Sequence, residues 1–229
     1  HWQKQQQHQI HIMPDSLLVS FIIDTISPVM LLESPQLIVV GENTDLKLSV
    51  NEESTCRFDK LDKSYESMSS FDLKAGNVFT ERLYELEEKA YEYYLKCKDK
   101  VGNIGTLKVS FEVQIPPKVE ITYERNSPLP KGTFQITLIP SKELKETPKL
   151  YYTYTDDKDF KRDVNLEKEG DEYIGYIIIE DQTLPRSGVF NFLGYDLHGN
   201  SGNEITEGSA FLVDTIKPNV PTDVQIMAT

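Results

Sequence analysis

Cysteine is almost absent from this chain: Cys56 and Cys97 are the only two in 229 residues. So few thiols exclude a fold stapled by several disulfides, and exclude a zinc centre built from four cysteines. Tryptophan and methionine are nearly as scarce, at one and four, so bulky core positions fall to Tyr and Phe. Positive charge is short too. Lys and Arg number 24 against 37 Asp and Glu, a net charge of −13. No cluster of them could displace phosphate counterions, which argues against a nucleic-acid partner. An acidic surface keeps a protein soluble and attracts cations without defining a fold.

Long apolar runs are also missing. None approaches the roughly 20 residues needed to cross a bilayer as a helix. The stretch His1–His11 is polar and Gln-rich, without the basic start and apolar centre of a signal peptide. If the protein is exported, its signal lies outside these residues or has been removed. His8 and His11 could share a helix face, but no Cys or carboxylate stands near them, so they read as part of a polar extended segment. Catalytic signatures are lacking: no Gly-x-Ser-x-Gly elbow, no His-Glu-x-x-His, no phosphate-binding glycine loop and no dinucleotide fingerprint. The expectation is a protein that is not an enzyme.

What is present points to sheets. A hydrophobic content of 38% with 12 Tyr and 10 Phe is too rich for a disordered chain, and 12 Pro with 12 Gly imply many turns. Leu46–Val50 and Leu107–Val113 alternate apolar and polar, as half-buried strands do. Tyr91, Tyr93, Leu95 and Cys97 alternate inward in the same way. Lys60–Gly76 reads as a polar loop anchored by Tyr65, Met68 and Phe71, and Val78–Leu86 as a strand plus a turn. Further strands are expected at 119–123, 134–138, 149–155, 173–179, 189–195 and 210–213, separated by charged or Gly-rich loops. Ser127–Gly132 reads as a turn. Strand signals recur about every ten residues with no alternating helical pattern, which implies antiparallel sandwiches rather than a parallel sheet.

One short unit occurs twice. Asp99-Lys100-Val101-Gly102-Asn103 follows an aromatic strand, and Asp196-Leu197-His198-Gly199-Asn200 follows another. An Asp-Thr-x-x-Pro junction also recurs, at 24–28 and 214–218. A period near one hundred residues favours two domains in 229. The expected division is an extension with an orphan strand at 1–24, a first domain at 25–116, a second at 117–215, and a first strand of a further module at 216–229.

The pair Thr55-Cys56-Arg57-Phe58 and Tyr94-Leu95-Lys96-Cys97-Lys98-Asp99, the two Asp-x-x-Gly-Asn turns and the two junctions together resemble bacterial immunoglobulin-like and fibronectin type III-like modules. Such modules occur in tandem on secreted and cell-surface proteins, and the similarity covers about residues 17–229. The resemblance implies an all-β chain of two tandem immunoglobulin-like antiparallel β-sandwiches, with a structural, spacing or adhesive role and no active site. In that repeat context Cys56 and Cys97 pair as a disulfide, which points to an extracellular location. Two buried free thiols in a reduced compartment are the alternative. Gly194 stands in the second unit where Cys97 stands in the first, so that unit relies on a core of Phe134, Tyr152, Tyr154, Tyr176, Phe190 and Phe192.

Other readings remain open at this level. The Asp-x-x-Gly-Asn turns have a mechanical explanation, with Gly at positive φ and the Asp and Asn side chains bonding local amides. The alternative is calcium, which needs six to eight oxygen ligands drawn from Asp24, Asp99, Asn103, Asp196, Asn200 and Asp214. Tyr94 and Tyr151 could stack on sugars, against plain cross-strand pairing. Finally, the ends carry unmatched strands. Leu17, Leu18, Val19, Phe21, Ile22 and Ile23 match the last strand of a module, and Asn219–Met227 a first strand. Either the chain is cut from a longer array, or it is a filament subunit that donates a strand to a neighbouring module or an identical subunit. The partner would be such a neighbour, or a protein or glycan ligand. The runner-up to an adhesive filament is an accessory or carbohydrate-binding module of a large secreted enzyme.

Overall fold

The computed structural model describes residues 23–217. It is all-β: the described residues hold strands and a single 3-10 turn at Tyr65–Ser67, with no α-helix. The chain divides into two compact units between Ile115 and Pro116.

The first unit has nine strands: β1 (Met30–Ser34), β2 (Ile38–Val40), β3 (Thr44–Val50), β4 (Ser54–Asp59), β5 (Ser69–Ser70), β6 (Leu73–Ala75), β7 (Val78–Leu83), β8 (Ala90–Asp99) and β9 (Ile104–Gln114). They form two sheets, ordered β1-β3-β7-β6 and β2-β9-β8-β4-β5. This is the immunoglobulin sandwich, A-B-E-D over G-F-C-C′, with β2 added parallel to β9. Period-two alternation makes the core. Leu46, Leu48 and Val50 point inward from β3, and Tyr91, Tyr93, Leu95 and Cys97 from β8. Each fully buried aliphatic or aromatic side chain contributes about 1.5–3 kcal/mol.

The second unit has ten: β10 (Lys118–Tyr123), β11 (Gly132–Pro140), β12 (Lys149–Tyr154), β13 (Asp157–Val164), β14 (Leu166–Glu169), β15 (Glu172–Ile179), β16 (Arg186–Tyr195), β17 (Ser201–Gly202), β18 (Glu204–Glu207) and β19 (Ala210–Val213). One sheet runs β14-β15-β11-β10-β18, the other β13-β12-β16-β17 with β19 also on β16. The plan is again A-B-E-D against C′-C-F-G, but the last strand is divided. It starts on β16 as β17, crosses to β10 as β18, and returns to β16 as β19. With no disulfide, this core rests on aromatic edges: Tyr152 lies 5.5–6.0 Å from Tyr154, Phe160, Phe190 and Phe211. Its buried hydroxyl donates to the Ile178 carbonyl (2.8 Å).

Several expectations change. Tyr176 is not in the core; it is 56% exposed. The run YIGYIII is apolar in both phases, and the sandwich selects the phase that buries Tyr173, Ile177 and Ile179. The charged stretch from Asp157 is a strand of eight residues rather than a loop. It is the outer strand of its sheet, where charge discourages unwanted pairing. Lys60–Gly76 likewise contains β5 and β6. Ser127–Gly132 is more than a turn. After a cis Ser127–Pro128 bond, Leu129 is fully buried and bridges β19 in parallel. Its amide donates to Leu212 and its carbonyl accepts from Asp214. The first unit makes the same crossing from β1 to β2 after a cis Ser34–Pro35 bond.

Candidate functional site

The two Asp-x-x-Gly-Asn turns are hydrogen-bonded clasps. In the first unit, Oδ1 of Asp99 accepts from the amides of Val101 (2.9 Å), Gly102 (2.6 Å) and Asn103 (2.8 Å). Its Oδ2 accepts from Asn103 Nδ2 at 2.8 Å. In the second, Asp196 accepts from the amides of His198 and Asn200 and from Asn200 Nδ2 (3.0 Å). Gly102 and Gly199 take φ of 104° and 89°, a region open to glycine. Both aspartates are buried, at 8% and 1% exposure. Burial pushes each carboxyl upward, but the hydrogen bonds from the Asn side chain and the turn amides outweigh it and hold each below the ordinary value.

Asn103 also reaches the segment that leads into β1. Its Nδ2 donates to the carbonyl of Asp24 (3.0 Å) and lies 3.4 Å from that of Ile26. Asp24 Oδ1 in turn accepts from the Ile26 amide at 3.0 Å, and Asp214 Oδ1 from the Ile216 amide at 3.0 Å. The two junctions therefore share one local turn. Asn51 holds the same leader from the other side, accepting from the Val29 amide (2.8 Å) and donating its own amide to the Val29 carbonyl (3.1 Å).

The repeated motif extends beyond its first five residues. Gly105 and Gly202 each stand two residues beyond the Asn, extending the unit to Asp-x-x-Gly-Asn-x-Gly. A Cβ at Gly105 would lie 2.1 Å from the Pro28 carbonyl oxygen, and one at Gly202 would lie 1.8 Å from that of Pro117. Both glycines exist so that a leader can cross the hairpin. Comparing the two turns for two more residues reveals this signal.

The acidic side chains divide between the units. Carboxylates of Asp24, Glu52 and Asp99 gather within 4.8 Å of one another, the one such group among the described residues. Burial raises Glu52 above its ordinary value, with Asp24 and Asp99 adding to the effect. Asp196, Asn200 and Asp214 join no comparable group among the described residues. Glu52 was not foreseen, since its loop is distant in sequence from both turns.

Cys56 and Cys97 are joined by a disulfide across β4 and β8. They are direct partners in one sheet with Cα atoms 4.1 Å apart. The bond usual in immunoglobulin domains links strands B and F between sheets. Here β3 offers only Leu46, Leu48 and Val50 inward, and Tyr93 lies two residues after Tyr91, the tyrosine whose hydroxyl accepts from the Glu87 amide. Tyr94 and Tyr151 face outward under lysine ammonium groups, 5.7 Å from Lys108 and 4.2 Å from Lys161. Leu17, Leu18, Val19, Phe21 and Ile22 lie outside the described residues, as does 219–227. Ile23, the first described residue, is half exposed.

No family model matches the sequence, and no curated protein matches it. Solved structures similar to it include an I-band fragment of titin, with TM-score 0.37 and 14% identity over 83% of this chain, which spans 66% of that fragment. The fibronectin(III)-like modules of Clostridium thermocellum CbhA align with TM-score 0.31 and 12% identity over 82% of this chain and 94% of theirs. Bacteroides ovatus SGBP-B, solved in complex with a mixed-linkage heptasaccharide, aligns with TM-score 0.30 and 11% identity over 83% of this chain and 48% of that one. The immunoglobulin-like tandem architecture itself is read from the strand order of each unit.

Proposed function

We propose that this chain is a non-enzymatic, structural or adhesive part of an extracellular surface protein or filament, built from tandem immunoglobulin-like modules. The observation that carries the reading is the repeated clasp: each unit threads a leader over an Asp-x-x-Gly-Asn-x-Gly hairpin. A device repeated in each module, with buried Asp and fitted Gly, serves mechanical continuity. The disulfide agrees with an oxidising, extracellular setting. We also propose that the apolar run 17–23, of which 17–22 lie outside the described residues, adds as a strand to a sheet edge of a neighbouring module or an identical subunit. Hydrogen–deuterium exchange on the assembled material tests this: slow exchange at 17–23 is expected, and fast exchange there rules strand addition out.

Calcium is a second proposal, narrowed to Asp24, Glu52 and Asp99 with Asn103 beside them. Asp99 already accepts four hydrogen bonds, so a cation would rely chiefly on Asp24 and Glu52. Thermal unfolding in calcium is expected to exceed that in chelator; an unchanged midpoint dismisses the ion.

A further inference from the structure

The first unit has a cleft of about 400 Å³ where β4, β7 and β8 meet the loop 84–86. Its size falls within the range of small-ligand sites. Its floor is aromatic: Phe58, Tyr91 and Tyr93 line it, with Tyr91 and Tyr93 only 9% and 3% exposed. Glu85, at φ 51°, turns the chain so that Leu86 enters the core and Tyr84 stands out, 66% exposed, in the cleft wall. Glu85 is the only described residue other than glycine at positive φ.

One polar atom on the floor is unspent. The Tyr93 hydroxyl has no hydrogen-bond partner among the described residues. Among the described residues no fully enclosed side-chain polar atom lacks a partner, so this hydroxyl opens into the cleft. A tyrosine this deeply buried ordinarily has its hydroxyl satisfied, here by water or by a ligand in the cleft. Tyr91 differs, since its oxygen already accepts from the Glu87 amide at 2.9 Å.

The rim decides the ligand's charge. Asp59 and Glu85 are matched there by Lys60 and Arg82, so the four side chains sum to zero. Asp59 and Arg82 are further tied to Lys63 and Asp45. The rim offers an ion no net attraction, and the Glu81 carboxylate, which accepts from the Asp72 amide, adds a negative charge near the Tyr93 hydroxyl that disfavours an anion. A peptide strand would find few free backbone groups, because Phe58 and Leu83 are paired in their ladders and the Leu86 amide donates to Glu42. What remains is an exposed ring, an aromatic floor, an unpaired hydroxyl and neutral polarity. These suit a ligand with apolar C–H faces and many hydroxyls. We propose that this cleft binds a neutral carbohydrate, with a sugar ring stacked on Tyr84 and a sugar hydroxyl bonded to the Tyr93 hydroxyl.

This site is independent of the assembly role proposed above, and the whole two-unit chain tests it. Calorimetry and amide-resonance mapping would be run with neutral hexasaccharides of β-linked glucose, mannose and xylose. A galacturonic acid hexamer and a Gly/Ser octapeptide serve as charged and peptide probes. At least one neutral hexasaccharide should bind and shift resonances of 58–60 and 82–93. Tyr84→Ala should weaken it about tenfold or more, and Tyr93→Phe about three- to tenfold, the loss of one neutral hydrogen bond. Neither variant should lower the melting temperature, since one side chain is exposed and the other hydroxyl has no internal partner. The proposal is overturned if no neutral hexasaccharide binds at millimolar concentration, or if both variants bind as the wild type does. Preferential binding of the uronate or the peptide overturns it as well, and so does a destabilised Tyr93→Phe, which would mean the hydroxyl is already engaged inside the protein.

Discussion

A buried aspartate at the end of a long strand is the smallest feature that both units repeat. Asp99 and Asp196 are held below their ordinary values because the charged form accepts turn amides and an Asn side chain. A carboxyl depressed on folding contributes stability above its unfolded value, and that contribution disappears as pH falls through the folded value. Asp99→Asn and Asp196→Asn should therefore be destabilising at pH 7 but nearly neutral well below about pH 4. Urea unfolding at pH 7, 5 and 3 measures this; a constant deficit across that range would refute the electrostatic account. The paired glycines make a steric prediction. Gly105→Ala and Gly202→Ala each press a methyl into a backbone carbonyl that cannot rotate away, so each should cost about 1–3 kcal/mol. The urea midpoint would fall accordingly, and a change within error would show that the leader yields freely. The Asp, Gly and Asn of these turns are plain in the sequence. The second glycine was legible only by extending the comparison, and Glu52 not at all, because nothing local marks which loop approaches which hairpin.

Among elements, strands with one apolar face were the easiest to read. In β8 the buried series Tyr91, Tyr93, Leu95 and Cys97 follows directly from alternation. Where both faces are apolar, as in β15, alternation loses its phase and Tyr176 could be assigned to either side. Where charge dominates, as in β13, pattern suggests a loop although the chain is extended. The disulfide belongs to this scale, since it joins two neighbouring strands rather than two sheets. It spans 41 residues, and the chain-entropy model assigns such a link about 4 kcal/mol. The double variant Cys56→Ala/Cys97→Ala should lower the stability of the first unit by about that amount. Denaturant unfolding with probes in each unit would show it. A second-unit transition shifted equally would contradict a local role for the bond.

For the whole molecule, both units bind their sheets together by letting one segment change sheets. In the first this is the passage from β1 to β2, and in the second the bridge at Leu129 and the excursion of β18. Such crossings let one segment hydrogen-bond to both layers, which otherwise meet through side-chain packing and the loops that connect them. The number of modules, their all-β class and the position of each clasp follow from the amino-acid sequence. Short-range alternation, turn chemistry and a repeated motif are local properties that one chain displays without folding. The sheet to which a strand belongs, the phase of a doubly apolar strand, the gathering of Asp24, Glu52 and Asp99, and the open cleft beneath Tyr84 are different in kind. Each depends on which distant segments meet, and only the packing of one sheet against the other decides that.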